Sequence, residues 1–139
     1  MIVAHQDKWP EMHMKHLELI QNAVTRMGNQ SASLKNYCMT LVAGMIGLSA
    51  ATEQSRILLY VLPIILVFAV LDANYLRLER AFRSQYDSIR RTPITEQPDF
   101  EISTNWGAAH TLMASFWSWS VAGFYAPMVA VLLGTYWLF

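Results

Sequence analysis

A chain of 139 residues has room for one domain, which we take as 1–139. Its composition is 54% hydrophobic and only 14% charged, whereas soluble domains carry roughly 25% charged residues, so an ordinary soluble domain is disfavoured. The net charge of zero indicates no basic face for nucleic acid, and the single cysteine, Cys38, excludes an internal disulfide.

The first predicted element is a long helix. Apolar residues recur at helical spacing over 11–33. The chain that follows is rich in small residues, among them Gly44 and Gly47, which would let another helix approach closely. Because a membrane core needs about 20 helical residues, we predict a cytoplasmic part over 11–33, a span over 34–51 and a turn at 52–56.

The second predicted helix carries the strongest signal in the chain. Its first half is uncharged, and charged side chains then follow at once as far as Arg91. No glycine or proline occurs between Pro63 and Arg91, and good helix formers surround the charges, so nothing ends the helix. We predict a span over 57–72 and a cytoplasmic part over 73–91, with a modest kink at Pro63 in the second turn.

A third helix follows a proline-containing loop. The 34 residues of 106–139 carry no charge if the histidine among them is neutral, and they would form about 50 Å of helix. The hydrocarbon core is only about 30 Å thick, so part of this helix must lie outside the lipid. We predict a cytoplasmic part over 104–120 and a span over 121–139, bent at Pro127. The alternative is that 106–119 re-enters the membrane or lies in its interface.

The basic residues give the orientation. Nine of the ten fall on one side of this arrangement, and only Arg56 lies in the intervening turn. The positive-inside rule then places the N-terminus in the cytoplasm and the C-terminus outside. Trp117 and Trp119 suit the cytoplasmic interface, and Tyr136 and Trp137 suit the far one. The predicted fold is an all-α membrane protein with three long helices, each part transmembrane and part cytoplasmic, arranged as an antiparallel hairpin plus a third helix.

Polar residues of the first helix recur at steps of 4, 3, 4, 3 and 4, which keeps them on one face. We call this set the polar stripe: Asn22, Arg26, Asn29, Ser33, Asn36 and Thr40. A polar stripe that enters lipid must face protein or water. In a symmetric oligomer it would form rings that line a water-filled ion pathway. The alternative is that it bonds helices together within one protomer.

Matching depths across the hairpin predicts two ion pairs, within or between protomers. Asp72 stands at the cytoplasmic edge of the second span, where an unpaired carboxylate is costly, and Lys35 lies at the same depth. Deeper in the cytoplasm, Arg26 should approach Glu79. Such pairs could lock a gate, contact a ligand or be purely structural.

The cytoplasmic part of the second helix is basic. Anionic lipid heads or acidic neighbours are the usual partners of such a segment, and a nucleotide or oligonucleotide could bind it through phosphate contacts. The candidate ligand- or lipid-binding residues are Arg77, Arg80, Arg83, Arg90 and Arg91.

Two histidines near the N-terminus, His13 and His16, could share a helical face beside Glu18. No third metal ligand stands at a recognisable spacing, so we expect exposed histidines and no metal. No phosphate-binding loop, nucleophile elbow or zinc-protease motif occurs in the sequence. We therefore expect neither an enzyme nor a cofactor.

Two segments resemble a family of small bacterial membrane proteins. Residues 16–44 read HLELIQNAVTRMGNQSASLKNYCMTLVAG, which is similar to the pattern LExIQxxIxRMxxNSxxxKxWxxTLVAA. Residues 71–90 read LDANYLRLERAFRSQYDSIR, which is similar to LDxxYLRxERxFRxLYDxVR. The matching residues are Glu18, Gln21, Arg26, Ser31, Lys35, Thr40, Asp72, Tyr75, Arg77, Glu79, Arg80, Arg83, Tyr86 and Asp87. The chain departs from the pattern at Gln30, Tyr37 and Gln85.

The family is that of membrane effectors in anti-phage operons of the Hailong type, in which a neighbouring nucleotidyltransferase controls the effector. The resemblance implies a homo-oligomeric ion channel, preferably a tetramer, that a nucleotide polymer holds closed and that opens on infection. The expected partners are copies of the chain itself, lipid of the bacterial inner membrane, and a nucleotide or oligonucleotide made by the nucleotidyltransferase. The alternative function is a non-conducting membrane scaffold or accessory subunit that anchors a cytoplasmic partner.

Overall fold

The computed structural model describes residues 8–91, 93 and 112–138, and these residues are almost entirely helical, with no strand among them. The elements, in chain order, are helix α1 (Trp9–Thr52), a 3₁₀ helix (Ser55–Tyr60), helix α2 (Val61–Arg91), the short helix α3 (Leu112–Phe116) and helix α4 (Trp119–Leu138). The predicted all-helical fold is confirmed for these ranges. The first part of the predicted third helix, 104–111, lies outside them.

Helix α1 runs for 44 residues without a break. Pro10 stands at its start, where a missing N–H is tolerated, and Glu11 in the first turn complements the helix dipole. The helix ends where Glu53 adopts a left-handed conformation with φ of 55°. Ser49 closes the turn, since its carbonyl accepts a hydrogen bond from the Gln54 N–H and its hydroxyl donates to the Gln54 carbonyl, both at 3.2 Å.

Helix α2 begins later than the sequence predicted. The chain leaves the turn as a 3₁₀ helix, so α-helical geometry starts only at Val61. Pro63 therefore lies in the first turn of α2 and not in the second, and a proline in a first turn requires no kink. The predicted continuation of this helix past Leu71 into the charged half is confirmed, because α2 is unbroken as far as Arg91.

The third predicted helix is divided within the described residues. Helices α3 and α4 are separated by Trp117 and Ser118. Ser118 forms the joint: its N–H donates to the Ser115 carbonyl at 3.2 Å, and its own carbonyl accepts from the Val121 N–H at 3.1 Å. Of the two alternatives considered for this region, a continuous helix is therefore not what residues 112–138 form.

The core lies where α4 packs against the hairpin of α1 and α2. All three long helices and the 3₁₀ helix contribute buried side chains to it, namely Cys38, Val42, Leu58, Val61, Ile65, Ala69, Ala73, Val121, Tyr125 and Leu132. Beyond this core the hairpin continues as two helices in the described residues, with Ile20, Val24 and Ala81 buried between them. The alanines of α2 on this face let the two helix backbones approach closely.

Two stretches of the described chain are long and apolar enough to cross a membrane. They are Ser55–Arg91, which comprises the 3₁₀ helix and α2, and Trp119–Leu138, which is α4. The predicted span over 34–51 is not among them, because Lys35, Asn36 and the small residues that follow lower its mean hydropathy. Length and composition thus support two of the three predicted spans.

Candidate functional site

Three helices meet at a polar junction, which we define as Ser31, Lys35, Asp72 and Ser120. The Asp72 side chain is fully buried, and its Oδ2 lies 2.8 Å from Lys35 Nζ. The Ser31 hydroxyl donates to Asp72 Oδ1 at 2.5 Å. Lys35 Nζ also donates to Ser31 Oγ at 3.0 Å and to Ser120 Oγ at 3.3 Å. The predicted Lys35–Asp72 pair is therefore confirmed within a single chain.

Local helical geometry explains why these groups converge. Ser31 and Lys35 stand four residues apart and so share one face of α1, which is the face that packs on α2. The Lys35 ammonium also lies 5.9 Å from the centroid of the Phe124 ring on α4, within cation–π range. A buried charge is costly unless it is paired and hydrogen-bonded, and the junction meets both conditions. It therefore ties α1, α2 and α4 together at one level.

This level separates the apolar half of the molecule from its charged half. On one side, the helical segments 36–52, 57–71 and 121–138 contain no charged residue. Trp119 is 92% exposed beside the junction, and Trp137 is 86% exposed at the far end of α4. The two tryptophans are 18 residues apart, or about 27 Å along a helix. This separation is close to the thickness of a hydrocarbon core, about 30 Å.

The second predicted pair, Arg26–Glu79, is not formed within the chain. Glu79 Oε1 instead accepts hydrogen bonds from Arg83 on its own helix, at 2.7 Å from Nη2 and 2.9 Å from Nε. Arg26 is exposed on α1. The reason is rotational: Arg26 follows the buried Val24 by two residues, or about 200° around the helix, so it faces away from α2.

The whole polar stripe shares this outward orientation. Five of its six residues are exposed and Ser33 is half-buried. The opposite face of α1 is the buried one, with Ile20, Val24, Cys38 and Val42 against the other helices. In the described part of the chain, the only hydrogen bond from a stripe side chain is local, from Thr40 to the Asn36 carbonyl at 2.9 Å. The stripe therefore does not bond helices together within the described chain.

The same outer face continues toward the end of α1 with small residues. Gly44, Gly47 and Ala51 follow Thr40 at helical spacing, and all three are exposed. A Cβ atom placed on either glycine would meet no described atom within 4 Å. The outer face of α1 thus changes from amides and hydroxyls to small residues in the apolar half, and nothing in the described chain covers it.

The arginines of α2 divide into groups. Arg77 is half-buried and Arg90 is exposed. The other three line a surface depression of about 670 Å³ together with two serines and an aspartate, and the full lining is Arg80, Arg83, Ser84, Asp87, Ser88 and Arg91. Spacings of three and four residues place these side chains on one face of α2. We call this depression the arginine surface.

The sequence did not single out every functional residue. Ser31 and Ser120 complete the junction. The signals for Ser31 were its match to the family pattern and its position one turn before Lys35, and the signal for Ser120 was its position at the start of the last apolar run. The expectation of exposed histidines was wrong: His13 and His16 are buried on the α2-facing side of α1. Among the described residues, no three metal-ligating side chains lie together.

Comparison of the chain with known protein families, with curated proteins and with solved structures finds no match. Three features of the chain itself bear on its function: the polar junction, the outward-facing polar stripe and the arginine surface.

Proposed function

We propose that this protein is a homo-oligomeric ion channel, preferably a tetramer, of the bacterial inner membrane, and that a cytoplasmic signal opens it. One observation carries the proposal. The polar stripe of α1 lies on the face opposite its buried face, so it is available to other copies of the chain. In a symmetric assembly with α1 nearest the axis, the stripe would line a water-filled path.

The placement in the membrane rests on the level of the polar junction. The uncharged segments on one side of it match the thickness of the hydrocarbon core. The exposed Trp119 and Trp137 would occupy the two interfaces. Basic residues concentrate on the other side of the junction, which orients the N-terminus to the cytoplasm and the end of α4 to the outside.

This placement also explains the composition of α1. Its segment 36–52 packs beside α2 and α4 at the same depth, so it would cross the membrane with them although it is less apolar. The exposed amide groups of the Asn36 side chain would then be costly against lipid, because each unsatisfied polar group there costs several kcal/mol. Other copies and water would satisfy them, which supports an assembly with this face inside.

The opening signal would act on the cytoplasmic half. Helices α1 and α2 pass through the junction without a break, so a ligand that favours one arrangement of their cytoplasmic ends would shift the membrane half as well. The arginine surface offers phosphate-binding groups. Arg91 lies 19 residues beyond Asp72, or about 28 Å, so this end of the arginine surface would stand beyond the lipid headgroups. The resemblance to Hailong-type effectors adds a role in anti-phage defence and an oligonucleotide ligand.

Ion flux in liposomes that hold the purified protein alone tests the proposal. Wild-type protein that carries no inhibitory ligand should conduct, and Asn29→Leu, Ser33→Leu and Asn36→Leu should each abolish flux while the assembly keeps its size on gel filtration. The matched control is Gln30→Leu, since Gln30 is exposed on the same helix but lies about 80° away from the centre of the stripe.

Survival of conductance in all three leucine variants would show that the stripe is not the path. Absence of flux in the wild type leaves either a channel closed by a bound ligand or a protein that does not conduct. Nuclease treatment of the purified protein separates these two, because removal of an oligonucleotide ligand should restore flux only in a channel.

The second candidate function is a non-conducting scaffold that anchors a cytoplasmic partner. The arginine surface favours it, because three exposed or half-exposed arginines on one helix face would also suit an acidic protein surface. Induced expression discriminates between the two functions. A channel should depolarise the cells, whereas a scaffold should leave the membrane potential unchanged.

A further inference from the structure

We infer that the permeant ions are anions and that Arg26 sets this preference, an inference that rests on the proposed channel function. Arg26 is the one charged member of the polar stripe. It is exposed on the outer face of α1, and no described carboxylate lies within ion-pair distance of its guanidinium. Any ion that moves along the stripe would pass this positive group.

Two of the described carboxylates near Arg26 are already paired, and Asp87 lies among the arginines of the arginine surface on α2. Glu79, at a similar depth on α2, binds Arg83. Glu18, two turns earlier on α1, pairs with Lys15 at 3.4 Å, so these two charges offset each other. Glu11 is exposed, but it lies 15 residues away, or about 22 Å along the helix. That distance is well beyond the Debye length of about 8 Å at physiological ionic strength.

The remaining stripe residues do not select for charge. Asparagine side chains offer both N–H donors and a carbonyl acceptor, and serine and threonine hydroxyls offer both functions as well. They can solvate either a cation or an anion. The sign of the permeant ion within the stripe is therefore decided by its fixed charge, and the one fixed charge of the stripe, Arg26, is positive.

Symmetry would strengthen the effect. In an oligomer with α1 nearest the axis, each copy would contribute one Arg26 at the same height, and the ring would stand on the cytoplasmic side of the junction. Rings of arginine or lysine select for anions in pores. Such a ring also concentrates counter-ions locally, because several like charges without fixed partners raise the local potential.

The test is the reversal potential in planar bilayers under a KCl gradient. The current through the wild-type protein should reverse at a potential closer to the equilibrium potential of Cl⁻ than to that of K⁺, which corresponds to a Cl⁻-to-K⁺ permeability ratio above one. Arg26→Gln should bring the ratio to about one, and Arg26→Glu should invert it. Arg26→Lys keeps the charge and should keep the preference. Arg56→Gln removes an exposed arginine from the 3₁₀ helix, away from the stripe, and should leave the reversal potential unchanged.

The outcomes separate this inference from the channel itself. A wild-type channel that prefers cations, or an Arg26→Gln variant that conducts with the reversal potential of the wild type, overturns the role of Arg26 and leaves the channel standing. Absence of conductance in every protein, including after nuclease treatment, overturns both. Loss of folding in the variants is not expected, because Arg26 is exposed and does not belong to the described core.

Discussion

Asp72 is fully buried at the polar junction, where α1, α2 and α4 are linked by hydrogen bonds and an ion pair. Its two oxygens are bound by different groups, Oδ1 by the Ser31 hydroxyl and Oδ2 by the Lys35 ammonium. Removing one partner of a buried ion pair is far more costly than replacing both partners, because the remaining charge is left uncompensated. The contribution of this residue to stability can therefore be isolated.

Asp72→Asn should lower the free energy of unfolding by about 3 kcal/mol, because Lys35 keeps its charge in a site that is only 18% exposed. Thermal unfolding of the purified protein in detergent measures the loss. The double variant Lys35→Met with Asp72→Asn should recover most of it. Glu18→Gln, which breaks an exposed pair, should change little. Equal losses in the single and double variants would show that the charge imbalance is not the cause.

Depth along the hairpin could be read from the sequence, whereas rotation about a helix axis could not. Lys35 and Asp72 were paired correctly because they stand at the same level and both happen to face the interface. Arg26 and Glu79 also stand at similar levels, but Arg26 faces outward and Glu79 finds Arg83 on its own helix. Heptad spacing shows that a set of polar residues shares one face of a helix, but it does not show which other helix packs against that face.

Helix α4 contains a proline in its interior. Pro127 is the ninth of its 20 residues, so the Gly123 carbonyl, four residues earlier, receives no hydrogen bond from it. An interior proline also presses its ring against that carbonyl. Gly123 has no side chain to add to the crowding, although a Cβ atom there would lie 3.4 Å from the Trp119 ring.

Pro127→Ala should raise the unfolding temperature, since it restores one helical hydrogen bond and relieves a cost of up to about 3 kcal/mol. Pro63→Ala is the control, because Pro63 stands in the first turn of α2 where no such bond is lost. Thermal unfolding in detergent measures both. Equal unfolding temperatures for the wild type and Pro127→Ala would mean that the surrounding structure already compensates for the hydrogen bond that the proline removes.

Helix existence was predictable here, and helix boundaries were less so. The unbroken passage of α2 from its apolar to its charged half followed from the lack of any helix-breaking residue. The 3₁₀ start before Val61 and the joint at Ser118 do not follow from the sequence, since 57–62 and 117–122 contain no glycine, proline or charge that would mark a helix boundary. Both depend on packing between distant segments, which a local pattern does not report.

At the scale of the whole molecule, the described charged residues lie at or on one side of the polar junction, apart from Glu53 and Arg56 in the turn after α1. The described residues on the charged side belong to α1 and α2, and the apolar side contains α4 and the 3₁₀ helix as well. Such a division is typical of a protein that is half embedded in a bilayer. This division predicts that a reagent outside the membrane reaches the turn after α1 but not the end of α2.

Single cysteines in a Cys38→Ala background test this topology. Gln54→Cys, in the exposed turn after α1, should react with a membrane-impermeant maleimide in intact spheroplasts. Ser88→Cys, exposed near the end of α2, should react only after lysis. The Cys38→Ala protein without an added cysteine serves as the blank. Labelling of Ser88→Cys before lysis, without labelling of Gln54→Cys, would show the opposite orientation. Equal labelling of both sites before lysis would contradict the placement in the membrane.

The unbroken length of α1 has a mechanical consequence. Measured from Lys35, the helix extends about 39 Å to Trp9 and about 26 Å to Thr52. A rigid rotation of about 5° around Lys35 would move the first end by about 3 Å and the second by about 2 Å. If α1 turned about the junction as a rigid rod, a force at its long N-terminal arm would act on the short arm multiplied by about 1.5. A contact made at the far end would then gain mechanical advantage over the part of α1 that carries Thr40 and Gly44.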